Sequence, residues 1–312
     1  MPRRTTTTTT KKKPAAKRTK PKRRKPSLLN PELYQSLRFF LSATRDHIIS
    51  EYGKNDSTYR AKIWKTKHGP LVHLSTGVSR VLGVAHLDTV DFRDNYTISG
   101  VRLDNFGSAG RHGRFFRPAK QPIPAPETHC DRYVSKCPQL DDRLGAWVLL
   151  ELLPSLGVAT DVLLTDSEEV GQSTAQYFAE KCSQEYNWIY SFDRAGSDVV
   201  CYTYETPELV ELLEEVGFAV GHGSYSDICY LTSLGVSGAN FGTGYHSQHT
   251  PHCYADLLET IYSAKRFQHF YRENKGSRLD YSPPIIKPLF RREPVSWLPY
   301  DLPTSCNADD LD

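Results

Sequence analysis

The chain has 312 residues, 38% of them hydrophobic and 24% charged, which is typical of a soluble globular protein with room for a sizeable core. No apolar run approaches the roughly 18 residues of a membrane span, and no apolar segment follows the basic start as in a secretory signal. The seven cysteines are odd in number and widely spaced, which argues against a disulfide framework. We therefore predict a reduced, intracellular protein.

The charges are divided between two parts of the chain. Residues 1–26 hold twelve Lys and Arg and no acid, whereas the remainder carries 27 bases against 36 acids. Because a segment of Thr, Lys, Arg and Pro cannot bury apolar surface, we predict a disordered basic tail. The tail either solubilises the protein, contacts nucleic acid or another polyanion, or directs nuclear import. The expected location is cytoplasmic, with nuclear or nucleoid association through the tail as the alternative.

Ordered structure is predicted to begin at residues 30–32, where Asn30 is a helix N-cap and Pro31 takes the first helical position. An apolar face at helical spacing continues to Ile49. The segments 59–64 and 71–74 then flank a turn and predict a hairpin. The short apolar run 81–85 is typical of a buried central strand.

After Gly145, helical and extended patterns alternate, which predicts an α/β protein with a parallel or mixed central sheet. The functional site of such a sheet lies at the carboxyl ends of its strands. The predicted helices cover 144–153, 174–182, 207–216 and 254–272, and the predicted strands cover 162–164, 187–192 and 237–241.

Two segments do not fit a minimal α/β domain. Residues 91–140 are long for a plain loop, so we predict an inserted lid or small subdomain within a single catalytic domain at 27–275. Residues 276–312 hold six prolines together with Trp297 and Tyr300. This Pro-rich C-terminal tail either packs over the domain or engages a partner.

Acids and imidazoles collect where the predicted strands end. Each group alone has a plain explanation, since Asp caps helices and Glu favours their first turn, but a coincidence at several strand ends is less plausible. Such a pocket would repel itself, and divalent cations remove that penalty. The motifs are His86-Leu87-Asp88, Asp141-Asp142-Arg143-Leu144-Gly145, Glu168-Glu169-Val170-Gly171, Asp193, and the stretch from His246 to His252.

The order of these motifs resembles the co-catalytic di-zinc exopeptidase superfamily, which includes zinc aminopeptidases, carboxypeptidases and deacylases. The resemblance covers residues 80–260 and implies a phosphorylase/hydrolase-like α/β fold, with a mixed central sheet sandwiched by helices. It implies a general base at Glu168, with Asp88 behind the first imidazole. The metal ligands that it implies are His86, Asp141, Glu169, Asp193 and a late His.

If Asp141 bridges two ions, the charges of three carboxylates, two divalent metals and a bridging hydroxide cancel. Zinc is the default metal, and cobalt or manganese would accept the same oxygen and nitrogen ligands. Two such ions activate water and polarise a carbonyl group. Glu168, adjacent to a ligand, would then take the proton from that water and pass it to the leaving amine.

The late ligand is assigned to His249, because His249-Thr250-Pro251 matches the family pattern better than the alternative, His246. We expect His252 to be exposed at the start of the last helix. Only 56 positions separate Asp193 from His249, too few for the dimerisation domain that the carboxypeptidase and deacylase branch inserts there. The spacing therefore favours the layout of a single-domain aminopeptidase.

These observations predict a metallopeptidase that hydrolyses peptide or peptide-like amide bonds, with removal of an N-terminal residue as the reaction. Two alternatives stay open. One is an amidohydrolase or deacylase that acts on a modified amino acid or a cell-wall peptide. The other is a polyanion-binding protein with a vestigial hydrolase domain, although the intact Glu168 argues against a dead site.

Overall fold

The computed structural model describes residues 29–89, 96–98, 101–103, 132–135, 137, 139–250 and 252–282. The basic segment 1–26, most of 91–140 and all of 283–312 lie outside these ranges, so what the sequence predicts for them stays a prediction. Among the helices of the described ranges, none is long and apolar enough to cross a lipid bilayer.

The strands of the described residues belong to two sheets. In chain order they are β1 (Arg60–Thr66), β2 (Gly69–Ser75), β3 (Val81–His86), β4 (Tyr96–Ile98), β5 (Val101–Leu103), β6 (Tyr133–Ser135), β7 (Asp161–Thr165), β8 (Trp188–Arg194), β9 (Val199–Val200), β10 (Gly238–Gly242), β11 (Tyr245–His246) and β12 (Tyr254–Asp256). The central sheet has the order β1-β2-β7-β3-β8-β10-β9, and the second sheet has the order β11-β12-β6-β4-β5.

The central sheet is mixed. Its four inner strands β7, β3, β8 and β10 run parallel, and β1, β2 and β9 pair antiparallel at the edges. The helices are α1 (Pro31–Ser42), α2 (Arg45–Tyr52), α3 (Leu140–Trp147), α4 (Leu153–Ser155), α5 (Phe178–Lys181), α6 (Pro207–Glu215) and α7 (Leu257–Asn274). A π-helical segment covers Val148–Leu152, and 3-10 segments cover Thr174–Tyr177, Tyr202–Tyr204 and Asp227–Leu234.

Helical segments cover both faces of the central sheet. On one face, Trp188 and Tyr190 of β8 pack against Phe267 of α7 with ring centroids 6.0 and 4.4 Å apart. On the other face, His73 of β2 packs against Phe178 of α5. All six residues of β3 are buried, as expected for a strand covered on both sides. The predicted α/β fold with a sandwiched mixed sheet is confirmed.

Two predicted helices differ from the structure. The apolar face expected to run to Ile49 is broken at Ala43, because the Thr44 side chain accepts the His47 N–H and starts a new helix. The last helix begins at Leu257 and not at residue 254. Tyr254–Asp256 instead forms β12, and the Asp256 carboxylate caps α7 by accepting the Leu258 N–H.

Candidate metal centre

The Asp141 carboxylate lies between two imidazole rings. Its Oδ1 is 3.3 Å from Nε2 of His86, and its Oδ2 is 3.0 Å from Nε2 of His249. Asp141 is buried at the start of α3, where its backbone is not yet helical and its peptide bond to Asp142 is cis. One carboxylate therefore joins two histidines that are 163 positions apart in the sequence.

The first half of the site consists of His86 and Asp193. His86 ends β3 and is only 1% exposed, and its Nε2 lies 3.6 Å from Oδ1 of Asp193, near the end of β8. Nδ1 of His86 is 3.0 Å from the backbone oxygen of Asp88. A carbonyl oxygen only accepts hydrogen bonds, so this contact assigns the ring proton to Nδ1. Burial lowers the pKa of His86, but the carboxylates of Asp141, Asp193 and Asp88 raise it well above its ordinary value, because Nε2 faces carboxylate oxygens.

That arrangement calls for a cation. Nε2 of His86 is buried and makes no hydrogen bond to any described residue. A lone pair facing carboxylates is repulsive unless a positive charge, either a proton on Nε2 or a bound metal ion, lies between them. His86, Asp141 and Glu169 can offer ligand atoms that all lie within 4.8 Å of one another, and so can His86, Asp142 and Asp193. These donors fit divalent metal ions such as zinc.

The second half of the site consists of Glu169 and His249. Oε2 of Glu169 is 3.1 Å from Nε2 of His249, and its Oε1 is buried with no hydrogen-bond partner among the described residues. Burial raises the pKa of Glu169 to about 7, and the nearby Asp141 carboxylate adds to this effect. His249 lies in a loop, with a side chain that is 56% exposed and a φ of 54°.

Asp88 connects the first histidine to the acidic turn. Its carboxylate accepts the backbone N–H groups of Glu168 and Glu169 at 3.2 and 3.1 Å, and its Oδ1 is 3.5 Å from Nδ1 of His86. The sequence predicted that Asp88 orients His86. In the structure its backbone oxygen makes the closer contact to the ring, while its carboxylate holds the Glu168–Glu169 turn in place.

Glu168 lies beside the two halves without contacting an imidazole closely. Its Oε2 is 3.9 Å from Nε2 of His86, and its side chain is 14% exposed. Burial raises the pKa of Glu168 to about 8; His86 opposes this shift, and the carboxylates of Asp193 and Asp227 add to it. The position of Glu168, beside both halves and without a close imidazole contact, suits a group that accepts and donates protons.

The Asp-Asp-Arg-x-Gly motif has a local structural reason. Oδ1 of Asp142 accepts the Gly145 N–H at 3.0 Å, and a Cβ at position 145 would lie 2.1 Å from that oxygen and 2.2 Å from the Phe192 carbonyl oxygen. Only glycine allows this approach. The buried Arg143 donates from Nη1 to the Ala43 carbonyl oxygen at 3.1 Å, at the break between α1 and α2.

Several residues that hold Asp193 were missed by the sequence analysis. Asn240 of β10 brackets its backbone, accepting the Asp193 N–H at 2.9 Å and donating to its carbonyl oxygen at 2.8 Å. The Ser226 hydroxyl donates to Oδ2 of Asp193 at 3.2 Å, and the Tyr245 hydroxyl donates to Oδ1 at 3.3 Å. A polar Asn within the apolar stretch 237–241 was the one signal that the sequence offered.

Asp227 is a further buried acid that the sequence analysis did not assign to the site. Its Oδ2 accepts a short hydrogen bond from the Thr165 hydroxyl, and Thr165 is the β7 partner of His86. Its Oδ1 is buried without a hydrogen-bond partner among the described residues. Burial raises the pKa of Asp227 to about 6. The polar loop at 221–227 thus contributes to the acidic cluster through its last residue.

His246 points away from this cluster. It follows Tyr245 in β11, and successive side chains of a strand project to opposite faces. Because Tyr245 reaches Asp193, His246 faces outward, where its Nε2 lies 2.9 Å from Oε2 of Glu259 and its ring stacks on Tyr254. Gly244 sets this register, since it has a φ of 86° and a Cβ there would lie 2.8 Å from the Thr260 nitrogen. His252 is exposed, as expected.

No protein-family model matches the sequence, and no curated protein matches it. Among solved structures, the chain is similar to the aminopeptidase PepT from Bacillus cereus, with a TM-score of 0.53 and 12% identity over 78% of this chain and 98% of that chain. The aminopeptidase APDkam598 from the archaeon Desulfurococcus kamchatkensis matches with a TM-score of 0.49 and 16% identity, over 78% of this chain and 96% of that chain.

The similarity to PepT extends over nearly the whole of that protein and establishes a shared fold. The chain therefore shares the fold of that aminopeptidase. The fold that the motif resemblance implied, a mixed central sheet sandwiched by helices, is confirmed.

Proposed function

We propose that the protein is a two-metal hydrolase that cleaves peptide amide bonds and acts as an aminopeptidase. The observation that carries this proposal is the position of Asp141. Its two carboxylate oxygens face two imidazoles, and each imidazole lies within 3.6 Å of a second carboxylate of its own. A single acid shared between two such pairs is the arrangement that two neighbouring divalent cations require.

The proposed ligands form two sets. His86 and Asp193 would hold one ion, Glu169 and His249 would hold the other, and Asp141 would contribute one oxygen to each. Zinc is the first choice, with cobalt and manganese as alternatives for the same donors. When bound, two such ions activate water as a nucleophile and polarise the carbonyl group of the substrate.

Glu168 would move the proton in this reaction. Its Oε2 lies close to both ligand sets but contacts no imidazole within 3.5 Å, so this oxygen is free to accept a proton from the attacking water. The same oxygen would then deliver that proton to the nitrogen of the leaving amine. Asp88 supports this role because its carboxylate accepts the Glu168 N–H and so fixes the backbone of Glu168.

The charge of the cluster favours a substrate with a free amino terminus. Two divalent ions and the buried Arg143 would supply five positive charges against seven carboxyl groups, which leaves a negative potential when all of them are ionised. A positively charged N-terminus is attracted to such a site, and a C-terminal carboxylate is repelled. The seven carboxyl groups belong to Asp88, Asp141, Asp142, Glu168, Glu169, Asp193 and Asp227.

Metal analysis tests the two-metal part of the proposal. Wild-type protein should hold about two ions per chain after incubation with zinc, cobalt or manganese. Asp141→Asn should lose both, because each ligand set shares this residue. Asp280→Asn, on a side chain that is 76% exposed, is the matched control and should keep both. Wild-type protein that takes up no stoichiometric metal would refute the proposal.

Turnover of short peptides tests the aminopeptidase part. Peptides with a free N-terminus should be cleaved, and N-acetylated versions of the same peptides should not. Glu168→Gln should keep its metal and lose about 100-fold to 10,000-fold in kcat, whereas Glu185→Gln, with a side chain that is 78% exposed, should match the wild type. Cleavage of the acylated peptides alone would point to the deacylase alternative.

A further inference from the structure

An open groove of about 510 Å³ lies along the outer side of α7 and is separate from the acidic cluster. Its lining includes Tyr262, Lys265, Arg266 and His269 of α7, together with Val216 after α6. We call it the α7 groove. Tyr262 is 56% exposed, so its aromatic ring is accessible to solvent in the same groove as the apolar side chain of Val216. Apolar surface of this kind, rimmed by charges, is typical of a binding site.

The rim of the α7 groove carries two consecutive cations, Lys265 and Arg266, and one acid, Glu259, whose carboxylate lies 2.9 Å from Nε2 of His246. Arg266 stacks over Phe218 and donates to the carbonyl oxygens of Gly217 and Ser197 at 2.7 and 3.1 Å, but forms no ion pair with any described residue. Lys265 is exposed and likewise has no carboxylate partner in the described part of the chain. These two cations lie at consecutive positions of α7, beside the apolar lining of the groove. They favour an acidic ligand.

The end of the same chain has the complementary chemistry. Residues 293–312 hold no Lys, Arg or His, and they contain the apolar run Trp297-Leu298-Pro299-Tyr300. The segment lies outside the described residues. It offers aromatic anchors for the apolar lining and carboxylates for the cationic rim. Its five acids are Glu293, Asp301, Asp309, Asp310 and Asp312.

The acidic segment can reach the groove of its own chain. The described residues end at Ser282, next to Tyr281, whose hydroxyl is 2.7 Å from the Thr203 hydroxyl, just before α6. The nine residues of α6 rise by about 14 Å and end beside Val216 of the groove. The connecting residues 283–292 span up to roughly 35 Å when extended, which is more than this distance.

We propose that residues 293–312 bind in the α7 groove of the same chain. The aromatic residues of the segment cover Tyr262 and Val216, and its carboxylates pair with Lys265 and Arg266. Binding within one chain is favoured over binding between chains, because a short connection gives the segment a millimolar effective concentration. This inference is independent of the proposed hydrolase activity.

Photo-crosslinking in the full-length protein tests the proposal. Benzoylphenylalanine in place of Tyr262 should crosslink to a peptide from residues 293–312. The same probe in place of Ile63, which is 47% exposed on the edge strand β1, is the matched control and should not. Crosslinks from position 262 to other parts of the chain only, or equal yields from both positions, would overturn the proposal.

Isotope labelling and charge reversal complete the test. When labelled and unlabelled chains are mixed, crosslinks should join peptides of like label, and mixed pairs at the statistical frequency would show binding between two copies instead. Glu293→Lys with Asp301→Lys should reduce the crosslink yield by roughly threefold or more, and adding Lys265→Glu should restore part of it. An unchanged crosslink yield in both variants would show that the segment is not bound through these charges.

Discussion

The two halves of the candidate metal centre are built differently. His86 and Asp193 belong to neighbouring parallel strands, and Asp193 is further held by Asn240, Ser226 and Tyr245. Glu169 and His249 instead come from a turn and a loop: the Asp88 carboxylate holds the backbone of Glu169, and the half-exposed His249 ring has the carboxylates of Asp141 and Glu169 as its ion-pair partners. More side chains therefore hold the first half than the second, whose histidine is exposed in a loop.

This contrast gives the halves different expected roles. A buried, hydrogen-bonded ligand set retains its ion strongly, since partners behind the ligands contribute about 10-fold to 100-fold in affinity. An exposed histidine in a loop exchanges its ion more readily, and it leaves space for a substrate to approach. We expect the His86 half to hold its ion tightly. We expect the His249 half to exchange its ion more readily and to face the substrate.

Removing one histidine from each half should give the largest difference. His86→Ala should lose metal and destabilise the protein by about 2–4 kcal/mol, because the ring is buried at the end of a central strand. His249→Ala should keep one ion and most of its stability. Elemental analysis and urea unfolding of both variants measure this. Equal losses in the two variants would show that the halves are equivalent.

Chelator competition should show the next largest effect. The wild-type protein should release its two ions in two phases that differ by about 10-fold to 100-fold in the chelator concentration required. The early phase should disappear in His249→Ala, since that variant would lack the weaker site. A single phase for both ions in the wild type would contradict the proposed asymmetry.

Removing one hydroxyl behind Asp193 should have a moderate effect. Tyr245→Phe deletes a donor to Oδ1 of Asp193 and should weaken the tighter ion by about 10-fold, without altering the weaker one. Tyr254→Phe, on the paired strand β12 and 38% exposed, is the matched control. If both variants behave alike, the hydroxyl of Tyr245 has no influence on the site.

The smallest effect is expected at His246. This residue pairs with Glu259 on the outer face of β11, so His246→Ala should keep both ions and change the free energy of unfolding by less than about 1 kcal/mol. Metal analysis decides between the two histidines. Loss of an ion in His246→Ala, together with its retention in His249→Ala, would reverse the assignment of the last ligand.

The sequence predicted the acids and imidazoles of the centre because parallel strands bring their carboxyl ends together. His86, Glu168 and Asp193 could be placed there from strand patterns alone. Asn240 and Tyr245 could not, because their contacts to Asp193 span 47 and 52 positions and no local pattern encodes them. The break at Ala43 and the strand β12 were missed because caps at Thr44 and Asp256 override an apolar periodicity.

The tight turn at Gly244 has a consequence for how this chain tolerates change in length. One residue added between Gly244 and Tyr245 would shift β11 against β12 and exchange the directions of the side chains of Tyr245 and His246. Every proposed ligand would remain in the sequence, yet Asp193 would lose the hydrogen bond from the Tyr245 hydroxyl, and His249 would be displaced. We therefore expect homologues to keep the segment from Gly244 to His246 at a constant length.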